Sequence, residues 1–176
     1  MMDAVVELVK MVVAAKTNYI AMLVVGNSAP DFTLSDASGN QHSLADARGN
    51  WVLMYFYPKD DTPGCTKEAC ALRDQFPKFK KLGITVFGVS VDSVASHAKF
   101  AQKYELPFTL LADTEKEVVN AYGVWGKKKF MGREYMGTAR WSFLIDPAGK
   151  IAKIYETVKP ETHAEEVLHD LIEFLK

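Results

Sequence analysis

Apolar runs alternate with turn residues along the chain from residue 31, and this pattern predicts several strands. Phe32–Leu34 and Gln41–Leu44 flank a polar turn, which is typical of a β-hairpin. Trp51–Tyr57 is apolar or aromatic throughout, as expected of a central strand that helices cover on both faces. Further strands are predicted at Ile84–Val91 and Phe108–Leu111, followed by a second hairpin made of Ala139–Ile145 and Lys150–Glu156.

Helical sequences fill the intervals between these strands. One helix is predicted over 63–82, bent or broken near Pro77, because proline lacks the N–H that a helix interior uses. A second helix is expected to begin at a cap formed by Asp92 or Ser93 and to run to about Tyr104. These helices would connect neighbouring strands of one sheet.

The last two helices have start and stop signals of their own. Asp113 is expected to cap a helix that ends before Gly123. The C-terminal helix begins with Thr162 and Glu165 at capping-box spacing. Its apolar stripe consists of Ala164, Val167, Leu168, Leu171, Ile172 and Leu175. Strands that alternate with helices and end in a hairpin predict an α/β sandwich around a mixed sheet.

The first 25 residues differ from the rest and are expected to form an N-terminal extension to a domain at 26–176. Charged residues interrupt their apolar sequence, so no uncharged stretch approaches the ~20 residues of a membrane span. The acidic start also differs from a signal peptide, which makes the cytoplasm the expected location. Val5, Leu8, Val9, Val12 and Val13 share one helical face, which predicts an amphipathic helix that packs on the domain or on a second subunit. A non-native extension, with translation starting at Met22, is the alternative.

Composition narrows the class of protein. The 176 residues are 48% hydrophobic and 24% charged, which indicates one soluble globular domain. The net charge of −1 gives no general attraction to nucleic acid or anionic lipid, and the basic run Lys127–Lys129 is interpreted as a solvated loop. Two cysteines are too few for a disulfide-stapled secreted scaffold. The pair is therefore a candidate for redox chemistry or metal ligation, unless it is incidental.

Cys65 lies at the expected start of the first long helix. Thr62 is a favoured N-cap residue and Pro63 suits the first helical position, which makes Cys65 the third helical residue. A sulfur there faces free backbone N–H groups and the positive end of the helix dipole. Such surroundings favour a reactive thiolate. A buried and inert cysteine is the alternative interpretation.

Cys70 follows in the same helix. Five helical residues advance the chain by about 7.5 Å and rotate it by roughly 500°, so the two side chains point about 140° apart. Their Cα atoms would exceed the limit of about 7 Å for a disulfide. If the pair is a redox couple, the first turns of the helix must therefore unwind. Zinc is disfavoured, because the chain has no further cysteine and its four histidines have no ligand spacing, namely His42, His97, His163 and His169.

The segment PKDDTPGC contains Pro-x-x-x-Thr-x-x-Cys, and with it the sequence resembles the peroxiredoxins. The longer stretch YFYPKDDTPGCTKEAC resembles the bacterioferritin-comigratory-protein or PrxQ subfamily. The segments APDFTL, ARWSFLID and YGVWGKKKFMGREYMG agree with it. The resemblance extends from about Gly26 to the C-terminus. It implies a thioredoxin-like fold, with a central mixed β-sheet flanked by helices and an N-terminal β-hairpin.

Matched position by position, the resemblance implies that Cys65 is the peroxidatic cysteine and Cys70 the resolving cysteine. Cys65 would be oxidised to a sulfenic acid that condenses with Cys70, and thioredoxin or glutaredoxin would reduce the resulting disulfide. Hydroperoxides are the implied substrates. The resemblance implies no metal, haem or flavin.

Four further residues match the family's site. Thr62 matches the hydroxyl that hydrogen-bonds the sulfur and the peroxide, and Pro58 the residue that shields the pocket. Arg140 matches the guanidinium that favours the thiolate and polarises the O–O bond. Glu68 matches an acid that orients the arginine. Trp141 departs from the small residue that is usual beside the arginine and is expected to alter the packing of the pocket.

Other functional hypotheses are consistent with the same residues. A peroxide sensor or relay, which passes its oxidation to a protein partner, needs the same two cysteines. A binding or holdase-type protein with incidental thiols, or a metal-binding module, would not need a reactive Cys65. The resemblance implies a monomer, and the N-terminal extension leaves a dimer open. No nucleic-acid or membrane partner is expected.

Overall fold

The computed structural model of the protein describes residues 22–176, so most of the predicted N-terminal helix lies outside the described residues. The strands are β1 (Thr33–Asp36), β2 (Gln41–Ser43), β3 (Trp51–Phe56), β4 (Ile84–Ser90), β5 (Thr109–Ala112), β6 (Trp125–Phe130), β7 (Arg133–Thr138), β8 (Ser142–Ile145) and β9 (Ile151–Tyr155). The helices are α1 (Pro63–Lys81), α2 (Val94–Lys103), α3 (Glu117–Ala121) and α4 (His163–Phe174), with a short 3-10 turn at Ala45–Ala47.

Seven strands form one mixed sheet in the order β2-β1-β5-β4-β3-β8-β9. The central strand β3 pairs in parallel with β4 and antiparallel with β8, and β5 continues the sheet in parallel with β4. The hairpin β1–β2 lies at one edge and β9 at the other. The predicted fold class, the N-terminal hairpin and the central position of Trp51–Phe56 are therefore confirmed.

Successive residues of β3 point to opposite faces of the sheet, and both faces are buried. Leu53 and Tyr55 enter a core cluster that also holds Cys65 of α1 and Val167 of α4. Met54 belongs to a second cluster on the opposite face, with side chains of α3. Fully burying such side chains stabilises the fold by about 1.5–3 kcal/mol each. The continuous apolar sequence of β3 follows from its position between these two clusters.

The helix α1 is continuous through Pro77, so a break near this residue is wrong, and a bend there stays a prediction. Pro77 itself is exposed, whereas Leu72 and Phe79 on the same helix are completely buried. We attribute the continuity to this packing, which holds α1 against the sheet and outweighs the one hydrogen bond that proline cannot donate.

Ser93 caps α2 as predicted, whereas the N-cap residue of α3 is Lys116 and the predicted cap, Asp113, bonds the first turn of α3 from three residues earlier. The Ser93 side chain accepts a hydrogen bond from the backbone N–H of Ser96 at the start of α2. The Asp113 carboxylate accepts from the N–H groups of Glu117 and Val119, and α3 ends before Gly123 as predicted.

The predicted capping box at Thr162 is wrong. The Thr162 side chain makes no cap bond, because its backbone is already helical, with φ −116° and ψ −4°. The backbone N–H of His163 instead donates to the Lys159 carbonyl at 3.0 Å.

Two predictions around residues 125–142 are also corrected. The basic run Lys127–Lys129 is part of the hairpin β6–β7, a separate two-stranded sheet, and not a loop. The strand expected from Ala139 begins only at Ser142, so Arg140 lies in the short connection that precedes β8. Among the described residues, no helix is long and apolar enough to cross a membrane.

Candidate active site

The first turn of α1 starts directly after the loop that follows the central strand β3. Thr62 is the N-cap, Pro63 begins the helix and Cys65 is its third residue, as the sequence predicted. The first intrahelical bond joins the Thr66 N–H to the Thr62 carbonyl at 2.8 Å. Within residues 22–176, the N–H groups of Gly64 and Cys65 have no hydrogen-bond acceptor. Two free donors and the positive end of the helix dipole thus lie in the turn that holds Cys65.

Arg140 lies against the sulfur of Cys65. Its Nη2 donates to the Cys65 Sγ at 3.3 Å, and its Nη1 donates to the Glu68 carboxylate. Cys65 is 2% exposed and Glu68 is completely buried, whereas Arg140 is half-buried. One planar guanidinium therefore bridges the thiol and the carboxylate from two different nitrogens.

Gly64 leaves the space that this guanidinium uses. A Cβ at Gly64 would lie 3.0 Å from the Arg140 Nη2, closer than ordinary van der Waals contact. Sequence reasoning did not single out Gly64. The sequence did contain a signal. Glycine is a poorer helix former than alanine, so a glycine in the first turn of a predicted helix indicates that a side chain there would meet a neighbour.

Burial raises the pKa of Glu68 to about 7, and the positive charge of Arg140 limits this rise. Desolvation acts to lower the pKa of Arg140, but the charges of Glu68 and Cys65 outweigh it and raise this pKa, so the guanidinium stays charged. Glu68 comes three residues after Cys65, which places both side chains on the same face of α1. The carboxylate thereby holds Arg140 beside the sulfur.

The Thr62 hydroxyl donates to the Lys59 carbonyl at 2.9 Å, and this hydrogen bond turns its proton away from the sulfur. The expected bond from Thr62 to the Cys65 sulfur is therefore absent from this conformation. The lone pairs of the hydroxyl stay available to accept a hydrogen bond from a ligand. Pro58 is half-buried at the start of the same loop.

Cys70 lies in the same helix as Cys65, but on a more exposed part of its surface. Both thiols are free, and α1 is helical over the whole segment that joins them. The intact helix therefore keeps the two thiols apart, and a disulfide between them requires the helix to unwind.

Two further residues are Lys128, in the hairpin β6–β7, and Trp141, which follows Arg140. The Lys128 side chain is half-buried, and desolvation lowers its pKa with a further contribution from the Arg140 charge. The sequence could not predict that Lys128 lies near the site, because a run of three lysines does not show which of the side chains faces the protein. Trp141 packs into the second core cluster beside Phe143, at 6.5 Å between ring centroids, and not with Cys65.

This arrangement suits attack by a thiolate on an electrophile that releases an anion. The donors are the Arg140 guanidinium and the two backbone N–H groups, and the nucleophile is the Cys65 sulfur. Across residues 22–176, no group of three or more His, Cys, Asp or Glu side chains is placed to hold a metal ion.

Comparison with known proteins agrees with this chemistry. The profile of the AhpC/TSA family matches residues 25–154. The chain is 47% identical over 151 residues to peroxiredoxin Bcp of Escherichia coli K12, covering 86% of this chain and 97% of that protein. It is 45% identical over 147 residues to peroxiredoxin Bcp of Bacillus subtilis 168, covering 84% of this chain and 94% of that protein.

A solved structure gives the same result. The bacterioferritin comigratory protein of Xanthomonas campestris, studied for its alkyl peroxide reduction activity, superposes with a TM-score of 0.78 at 36% identity. The match covers 82% of this chain and 92% of that one. The chain therefore belongs to the AhpC/TSA family, as a peroxiredoxin of the Bcp/PrxQ type. It is thus a peroxidase and an oxidoreductase, and the resemblance that its sequence indicates is confirmed.

Proposed function

We propose that the protein reduces hydrogen peroxide and organic hydroperoxides with Cys65 as the nucleophile, resolves the product with Cys70 and is returned to the dithiol by thioredoxin. The observation that carries the proposal is the contact of 3.3 Å between the Arg140 Nη2 and the Cys65 Sγ, beside two free backbone N–H groups. This surrounding supports a thiolate and offers donors to the departing oxygen.

In the first step the Cys65 thiolate attacks one peroxide oxygen and the O–O bond breaks. The sulfur becomes a sulfenic acid, and the second oxygen leaves as hydroxide or alkoxide, which takes up a proton. Arg140 donates to the reacting oxygens while Glu68 holds the guanidinium in place. Thr62 is proposed to accept a hydrogen bond from the peroxide O–H, because its own proton is directed to the Lys59 carbonyl. Pro58 is proposed to shield the pocket from water.

In the second step the Cys70 thiol condenses with the sulfenic acid, forming a disulfide and releasing water. The helical segment between the two cysteines supports the view that α1 unwinds locally before this step. Dithiol exchange then restores both thiols. Thioredoxin or glutaredoxin could supply this dithiol, and thioredoxin is the reductant we propose. Two free thiols without a disulfide scaffold are typical of a reducing compartment, and the cytoplasm is the location we propose. The proposed oligomeric state is a monomer.

A coupled assay tests this function. Thioredoxin, thioredoxin reductase and NADPH are mixed with the protein and a hydroperoxide, and NADPH consumption is followed. We expect catalytic turnover that is lost in Cys65→Ser and in Cys70→Ser. Rapid oxidation of Cys65 without turnover, together with a stable mixed disulfide to another protein, would favour a peroxide relay instead. No reaction of Cys65 at all would contradict both.

A further inference from the structure

A buried acid–base pair lies behind the active-site loop, and the chemistry described above does not use it. Asp60, in the loop between β3 and α1, is 8% exposed, and His97 of α2 is completely buried. The His97 Nδ1 lies 2.8 Å from the Asp60 Oδ2, and the His97 Nε2 lies 3.0 Å from the carbonyl oxygen of Leu111 in β5. His97 thereby joins the active-site loop to the sheet.

Every polar side-chain atom of this pair has a hydrogen-bond partner. A carbonyl oxygen can only accept, so the His97 Nε2 carries a proton. The Asp60 carboxylate also accepts hydrogen bonds from the Tyr57 and Ser96 hydroxyls, both at 2.7 Å. The Asp60 carboxylate thus has three side-chain partners, one of which is the His97 Nδ1. Loss of either partner leaves the other buried with an unmet bond.

The main chain of Asp60 is held as well. Its N–H donates to the Asp92 carboxylate at 2.9 Å, and the Ser90 hydroxyl donates to the same oxygen at 2.7 Å. Asp60 is thus fixed through both its backbone and its side chain.

The next residue has a second link to α2. Asp61 has a left-handed backbone, with φ of 54°, and its carboxylate accepts from the Lys103 Nζ at 2.7 Å and the Tyr104 hydroxyl at 2.6 Å. The chain then enters the N-cap Thr62 and the first turn of α1. The two residues that precede this N-cap are therefore both bonded to α2 or to the residues at its ends.

These contacts connect α2 to the reactive cysteine. The position of Cys65 opposite Arg140 depends on where the first turn of α1 begins, and this point is set by the loop that Asp60 anchors. A shift of about 1 Å in a reacting group can lower a rate by about 10²-fold.

We propose that His97 is a positioning residue for peroxide reduction, which through Asp60 holds the loop that presents Cys65 to Arg140 and opposes the unwinding of α1. This inference rests on the proposed function. It predicts two effects of opposite sign when the link is lost. The reaction of Cys65 with peroxide slows, because the reactive conformation is less populated, while the closure of the disulfide with Cys70 does not slow.

Two substitutions of His97 separate its two bonds. The amide of asparagine ends at the level of Nδ1, so His97→Asn can still donate to Asp60 but loses the bond to Leu111. The longer amide of glutamine reaches the level of Nε2, so His97→Gln can still donate to Leu111 but loses the bond to Asp60. Both remove the ring, so a general packing defect affects them alike. Ser93→Ala removes the N-cap bond of α2 but leaves both bonds of His97 in place, so it serves as a further control.

The test measures the second-order rate of Cys65 oxidation by hydrogen peroxide and the subsequent rate of disulfide closure, by rapid quench and intact mass. We expect the oxidation rate of His97→Gln to be about tenfold below that of His97→Asn, with closure at least as fast as in the parent protein. Ser93→Ala should match the parent in both rates. Equal rates in the two His97 variants, or a parallel fall in oxidation and closure, would overturn the proposal.

Hydrogen exchange at residues 60–66 of the reduced protein gives a second readout that needs no peroxide. Exchange should be faster in His97→Gln than in His97→Asn, and unchanged exchange would overturn the proposal. Asp60→Ala, which removes the carboxylate that His97 bonds, should reproduce His97→Gln if that variant folds poorly. A parent protein that does not react with peroxide would contradict the proposed function itself. A reactive parent, with equal oxidation rates in His97→Gln and His97→Asn, would contradict only the role of His97.

Discussion

The Nη2 of Arg140 lies 3.3 Å from the sulfur of Cys65, although the two residues are 75 positions apart in sequence. This contact joins the connection before β8 to the first turn of α1. It forms because β8 pairs with the same central strand, β3, that leads into the active-site loop. The sheet thereby brings a cation to a thiol at the N-terminus of a helix.

Arg140→Lys is expected to slow the oxidation of Cys65 by hydrogen peroxide by about 10²-fold, because an ammonium group cannot bond the sulfur, Glu68 and the leaving oxygen from one rigid plane. Stopped-flow measurement of the second-order rate tests this. Thermal unfolding of the variant serves as the control and shows whether it is folded. A folded variant that reacts at the parent rate would mean that the guanidinium is not needed.

Gly64→Ala is expected to lower the same rate by about tenfold without loss of stability. The new Cβ would lie 3.0 Å from the Arg140 Nη2 and push the guanidinium away from the sulfur. Alanine is also the better helix former, so the melting temperature should stay equal or rise. Gly126→Ala is the matched control, because its Cβ would have nothing within 4 Å. Equal rates for the two variants would show that Gly64 is not needed for the approach of Arg140.

Glu68→Gln is expected to change how stability depends on pH. Burial raises the pKa of Glu68 from 4.5 to about 7, so the folded protein binds this proton more tightly than the unfolded chain does. The stability that this group contributes is therefore fully present below about pH 4.5 and is lost as the pH rises through about 7. The parent should lose stability relative to Glu68→Gln over this range, as measured by urea unfolding at several pH values. A constant difference between the two proteins would contradict the raised pKa.

Gly88→Ala is expected to destabilise the fold by about 1–3 kcal/mol, because overpacking a dense core forces side chains from their preferred conformations. A Cβ on this β4 residue would lie 2.7 Å from the Tyr55 ring and hydroxyl and 2.8 Å from a methyl group of Leu110. Denaturant unfolding measures the loss. Stability equal to that of the parent would mean that Tyr55 can move at no cost.

Local signals in the sequence were sufficient for the start of α1. Thr62, Pro63 and Cys65 occupy the N-cap, first and third helical positions that their residue types predicted. The continuous apolar sequence of β3 likewise identified the central strand, because both faces of that strand are buried.

Features that depend on tertiary contacts were not predictable in this way. Pro77 signals a break, but burial of the neighbouring helix face keeps α1 continuous. The exposed polar hairpin β6–β7 lacks the apolar alternation that marks a strand. His97 has no pattern that distinguishes it, since its partners Asp60 and Leu111 lie 37 and 14 residues away in sequence.

The most direct test of the account uses one equivalent of hydrogen peroxide on the fully reduced protein, quenched within seconds under denaturing conditions with a thiol-alkylating reagent. Intact mass should fall by about 2 Da with no alkylation, because Cys65 and Cys70 have formed a disulfide. Cys70→Ser should instead stop at the sulfenic acid or a higher oxide. Alkylation of both cysteines in the parent protein, with no oxidised species, would show that Cys65 is not a peroxide-reactive thiolate and would contradict the account.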